Sequence, residues 1–253
     1  MPPSSYSNAT NKPFGAGPFR VENGKTGCLM VHGFTGTPWV FHGLAEALAR
    51  KGISVSAPLL PGHGTRPEKL IGIQWEEWVD AVRQEYHFLR GRCEDMFFLG
   101  LSMGGSIALM LASEYPVQGI ISLSAPVRFD NWWAVLLPYL KPFKRYWKKR
   151  HQPDCVEAGY DRYPLDAVSE MLDFLNKVRE KLPQITCPAL IMHAYGDQTV
   201  SSVNADRIFN CISSKVKKKV FLEHPCHVIT KGEDAHTVYN EVSLFIRSNC
   251  SLA

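Results

Sequence analysis

A chain of 253 residues with 45% hydrophobic and 21% charged residues has the balance of a soluble globular protein and can bury a large α/β core. Its net charge of +4 is local: the run K-P-F-K-R-Y-W-K-K-R (141–150) holds six of the 28 basic residues and no acid. The remainder is slightly acidic, which argues against a nucleic-acid partner, and no apolar run approaches the length that spans a bilayer.

In chain order, residues 1–18 (M-P-P-S-S-Y-S-N-A-T-N-K-P-F-G-A-G-P) lack the apolar centre of a signal peptide and read as a flexible leader. Short apolar, β-rich runs then recur at C-L-M-V (28–31), I-S-V-S-A (53–57), M-F-F-L-G (96–100), G-I-I-S-L (119–123), A-L-I-M-H (189–193) and K-V-F-L (219–222). Continuous apolar runs suit parallel strands buried on both faces. Between them, Trp75, Trp78, Val79, Val82, Tyr86 and Leu89 fall at helical spacing, and 102–115, 203–212 and 234–247 also read as helices. This alternation predicts an α/β fold over 1–253, a doubly wound and mainly parallel sheet. From 126 to 183 the rhythm breaks. That stretch has no convincing strand and one clear helical segment (166–182), so it is expected to form a helical cap over the carboxyl ends of the strands. Seven cysteines without C-x-x-C spacing predict neither a disulfide framework nor a zinc ribbon; reduced core thiols in a cytoplasmic protein are expected.

The third of these main strands runs into G-L-S-M-G-G (100–105) and then a helix. A G-x-S-x-G sequence in that setting makes a sharp turn with Ser102 exposed at its tip, and glycines at 100 and 104 leave room for the bend. A serine attacking a carbonyl needs two donors for the oxyanion. The N–H of Met103 follows the nucleophile, and that of Phe34 lies in H-G-F-T-G-T (32–37), directly after the first predicted strand. The serine also needs a base and the base an acid, in the chain order Ser, acid, His. Asp197 stands just past the strand 189–193, whereas Asp166, Asp173 and Asp206 lie on predicted helices. The loop E-H-P-C-H (223–227) offers His224 or His227; its geometry favours His227 and leaves His224 as the alternative. A metal site at these two histidines lacks further ligands at suitable spacing, so no metal or cofactor is expected.

Several ordered blocks carry a resemblance: H-G-F-T-G-T-P (32–38), G-H-G-T (62–65), G-L-S-M-G-G (100–105), C-P-A-L-I (187–191), G-D-x-x-V (196–200), N-A-D-x-I-F (204–209) and H-V-I-T (227–230). Over about 28–247 the chain resembles the small bacterial α/β-hydrolase carboxylesterases and monoacylglycerol lipases. The resemblance implies an α/β-hydrolase fold and a serine hydrolase acting on short-to-medium acyl esters or monoacylglycerols. It implies Ser102 as nucleophile, Asp197 as acid, His227 as base, and Phe34 and Met103 as oxyanion donors. His224 and Cys226 then become structural neighbours, the latter a spectator thiol. Where the family often has glycine before the base, this chain has Cys226, which adds bulk and a site open to oxidation. Thioesterase, lactonase or acyltransferase chemistry would use the same triad, and a non-catalytic ligand-binding protein would not need it. In the cap, Trp132, Trp133, Leu136 and Leu137 are candidates to line an acyl pocket, and the basic run beside them suits transient contact with anionic lipid aggregates.

Overall fold

The computed structural model describes residues 16–129, 144–149, 152, 155–156 and 159–251. The strands are β1 (Phe19–Val21), β2 (Thr26–Val31), β3 (Ile53–Ala57), β4 (Asp95–Leu101), β5 (Gly119–Leu123), β6 (Tyr146–Lys148), β7 (Arg162–Pro164), β8 (Ala189–Ala194) and β9 (Lys217–Leu222). The main helices are α1 (His42–Ala49), α2 (Trp75–Arg90), α3 (Met103–Ala112), α4 (Leu165–Lys181), α5 (Val203–Cys211) and α6 (Ala235–Asn249). Seven strands form one sheet in the order β1-β3-β2-β4-β5-β8-β9, and every pairing is parallel except that of β1 with β3.

The apolar runs are continuous because the central strands are covered on both faces. Leu29, Val31 and Phe98 pack into one core with Trp78, Val82, Ile107, Phe174 and Ile208 from α2, α3, α4 and α5. Their alternating neighbours Cys28, Met30, Phe97 and Leu99 pack into the other with Leu44 and Leu48 of α1 and Val238 and Val242 of α6. Successive residues of one strand point to opposite faces, so each needs an apolar side chain. One edge of the sheet is β9, where Lys217, Lys218 and Lys219 discourage pairing with another chain.

Three features were not anticipated. The first is β1, whose Arg20 makes a two-pronged ion pair with buried Glu85 of α2 at 2.6 and 2.5 Å. The second is α1, too short at eight residues to display a helical period, although Leu44, Ala45 and Leu48 share its buried side. The third is the antiparallel pair β6–β7, which corrects the expectation of a strand-free 126–183 segment. Its strands of three residues are half-buried or exposed for the most part, so neither carries the apolar run that marks a sheet strand. Trp132, Trp133, Leu136 and Leu137 lie outside the described residues.

Candidate active site

Parallel strands deliver their following loops to one end of the sheet, and the loops after β2, β4, β8 and β9 meet there. After β4 the backbone turns at Ser102 with φ 56° and ψ −127°, a left-handed conformation that costs a non-glycine residue about 1–3 kcal/mol. The bend is held by the Ser102 N–H donating to Leu123 O at 2.8 Å and by Gly105 N donating to Ser102 O at 2.8 Å. It closes only without side chains on either flank. A Cβ on Gly100 would stand 2.1 Å from Gly104 O, and one on Gly104 would stand 1.9 Å from Val31 O. Ser102 thus caps the positive N-terminus of α3, where developing negative charge is favoured.

The loop after β8 brings Asp197, 7% exposed, opposite the loop after β9. His227 Nδ1 lies 2.7 Å from Asp197 Oδ2, which assigns the proton to Nδ1 and leaves Nε2 as the acceptor. Asp197 Oδ1 accepts the N–H groups of Thr199 (2.8 Å) and Val200 (3.0 Å). Burial alone would raise this carboxyl's pKa, but the charge of His227 and hydrogen bonds from His193, His227 and Val200 outweigh it, leaving the pKa well below the usual range. His224 is elsewhere: its Nε2 meets Glu233 at 2.6 Å and its Nδ1 meets Asp234 at 3.1 Å, with nearly half its side chain exposed. The two histidines left open by loop geometry therefore have separate partners, and of the two it is His227 that meets Asp197.

The loop after β2 turns tightly, with Gly36 N donating to Gly33 O at 3.0 Å, and it presses against the elbow. A Cβ on Gly33 would stand 3.0 Å from that of Ser102. Among the described residues, neither the Phe34 N–H nor the Met103 N–H has a hydrogen-bond acceptor. Beneath this loop His32 is fully buried, with Nδ1 2.9 Å from Gly33 O and Nε2 accepting Leu60 N–H at 3.1 Å. Burial and then the neighbouring His63 push its pKa down to about 3, and burial pushes His63 down to about 4, so both are neutral braces of the loop.

Ser102 and His227 open into a cavity of about 180 Å³. Its walls include Phe34, Phe129, Val156, Met171 and Val228, with Lys149, Gln152 and Thr199 as polar points. These residues come from six separate stretches of chain and share no sequence pattern. Cys155 also lines this cavity and corrects the reading of Cys226 as a free thiol: the two are joined in a disulfide with Cα atoms 5.4 Å apart. The bond ties the stretch beyond β6 to the residue preceding His227. A separation of 71 residues gave no local signal for it.

His193, the penultimate residue of β8, also escaped attention. It is 1% exposed, and its Nε2 lies 3.2 Å from Asp197 Oδ2 and 3.0 Å from Val200 O. The available signal was an imidazole in an otherwise apolar strand, four residues before the acid. Among the described residues no group of three or more His, Cys, Asp or Glu side chains is arranged to hold a metal ion.

Comparison with known proteins adds relatives to this geometry. The family model described as alpha/beta hydrolase family matches residues 28–226. A thermostable monoacylglycerol lipase of Bacillus sp. (strain H-257) is 39% identical over 227 residues, 87% of this chain and 90% of that one. A carboxylesterase of Bacillus subtilis (strain 168) is 27% identical, covering 90% of this chain and 95% of its own. Among solved structures, a chain of the metagenome-derived lipolytic enzymes LipS and LipT superposes with a TM-score of 0.88 at 30% identity, covering 92% of this chain and 98% of that one.

Proposed function

The chain belongs to the alpha/beta hydrolase family, and we propose that it cleaves carboxylic esters through a Ser102–His227–Asp197 triad and an acyl-enzyme intermediate. The observation that carries the reading is the strained Ser102, which shares an apolar cavity with an imidazole already fixed by a buried carboxylate. Similarity to a monoacylglycerol lipase and a carboxylesterase over most of the chain supports the same reaction class.

Ser102 Oγ attacks the ester carbonyl while His227 Nε2 takes its proton. Asp197 holds the ring and stabilises the imidazolium. The oxyanion forms between the N–H groups of Phe34 and Met103, each contributing about 3 kcal/mol of transition-state stabilisation. Collapse of the tetrahedral intermediate expels the alcohol, which takes the proton from His227. Water, activated by the same ring, then releases the acid.

The apolar walls suit an acyl chain, so short-to-medium acyl esters and monoacylglycerols are the proposed substrates. The cap expected over 126–183 and contact of its basic run with anionic lipid aggregates belong to the same reading. No helix among the described residues is long and apolar enough to cross a membrane. Turnover of p-nitrophenyl esters and monoacylglycerols of graded chain length tests the substrate class. Hydrolysis that improves from acetyl to medium chains is expected; activity confined to thioesters or lactones would overturn it. Co-sedimentation with anionic vesicles tests the lipid contact.

A further inference from the structure

We propose that His193 is a positioning residue for the hydrolytic reaction, holding the triad carboxylate in place from beneath. The proposal rests on the reading of Ser102, His227 and Asp197 as the triad.

An imidazole inside a parallel strand needs a reason. The other residues of β8 are Ala, Leu, Ile, Met and Ala, all buried, and His193 stands among them at 1% exposure. Burying a polar group there is unfavourable unless its hydrogen bonds are made. The Nε2 atom faces two acceptors, Asp197 Oδ2 at 3.2 Å and Val200 O at 3.0 Å. Neither can donate when the carboxylate is ionised, so Nε2 carries the proton and shares it between them.

The carboxylate is then completely enclosed by donors. Its Oδ1 accepts two backbone N–H groups, from Thr199 and Val200, and its Oδ2 accepts His227 Nδ1 and His193 Nε2. An ionised carboxylate offers about four lone-pair sites, and all four are used. The two backbone bonds fix Oδ1 but allow the group to pivot about it. The bond from His193 is the one that prevents Oδ2 from swinging away from His227. Because Val200 O is held by the same proton, His193 also closes the turn 197–200 that supplies the Oδ1 donors.

His193 is not among the residues lining the catalytic cavity, so its removal bears on the reaction step and not on substrate contact.

The test uses His193→Ala, His193→Phe and His193→Gln in the full chain, with kcat and KM measured separately on one medium-chain ester. Rates are normalised to the fraction of sites that a fluorophosphonate labels, and melting temperatures report folding. A displacement of about 1 Å in a catalytic group costs on the order of 100-fold. We expect kcat to fall about 10- to 100-fold in the Ala and Phe variants with KM unchanged. His193→Gln keeps an N–H donor and should restore most of kcat. Equal loss in Gln and Phe, or full activity in Phe, would overturn the proposal. If wild-type Ser102 takes no label, the triad reading itself fails; normal labelling with indifferent His193 variants sinks only this inference.

Discussion

Ser102, His227 and Asp197, the proposed triad, stand beyond the ends of β4, β9 and β8, so their roles are separable by substitution. Ser102→Ala and His227→Ala should each lower kcat by on the order of 10⁵-fold or more, because a triad fails as a unit. Asp197→Asn should cost about 10⁴-fold by offering His227 the wrong hydrogen-bond partner. That substitution also has a pH signature in stability. A carboxyl held below its ordinary pKa stabilises the fold above the unfolded-state value, and this contribution is lost as pH falls through the folded-state value. Asp197→Asn should therefore be less stable than wild type near neutrality, and thermal melts should converge as the pH drops below the usual carboxylate range. For His224 the sign is opposite. Its hydrogen bond to Asp234, followed by the charges of Glu233, Asp234 and Glu223, raises its pKa, so the fastening is present at low pH and lost as pH rises through that raised value. His224→Ala should keep turnover near wild type and show its small melting deficit only on the acid side. Loss of turnover in His224→Ala alone would contradict the assignment of the base.

Elements, and the joints between them, decide where those side chains stand. The bend from β4 into α3 tolerates no Cβ at 104, where Val31 O would lie 1.9 Å away. Gly104→Ala should destabilise the fold by about 3 kcal/mol, read from denaturant melts, with loss of activity in whatever remains folded. This joint was legible in the sequence because strand, glycine spacing and helix are contiguous. The disulfide was not legible, since its halves meet only once the stretch beyond β6 lies against the base loop. Closing a loop of 71 residues removes unfolded-chain entropy worth about 4 kcal/mol as an upper figure. Thiol titration of the denatured, unreduced protein should find five free cysteines, those at 28, 93, 187, 211 and 250. Reduction with a dithiol should lower the melting temperature and raise KM for longer acyl esters, because Cys155 is part of the cavity wall. Seven titratable thiols without reduction would contradict the bond.

At the scale of the whole molecule, six apolar runs sufficed to foresee the parallel sheet, because strands buried on both faces are apolar at most positions. Edge and surface elements carry no such demand. Accordingly β1, α1 and the β6–β7 pair stayed hidden, each held by long-range contacts such as the Arg20–Glu85 ion pair. The three proposed catalytic residues were legible for a related reason: each follows a strand closely, so chain order gave spatial order. The cavity walls and His193 were not, since their function depends on which face of a helix or strand meets which loop. The most direct test of the whole account is a fluorophosphonate label on the native protein, located by peptide mass spectrometry. One probe per chain on the peptide containing Ser102, absent from Ser102→Ala and strongly slowed in His227→Ala, is the predicted result. Folded protein that remains unlabelled, or that carries the probe on another residue, would contradict it.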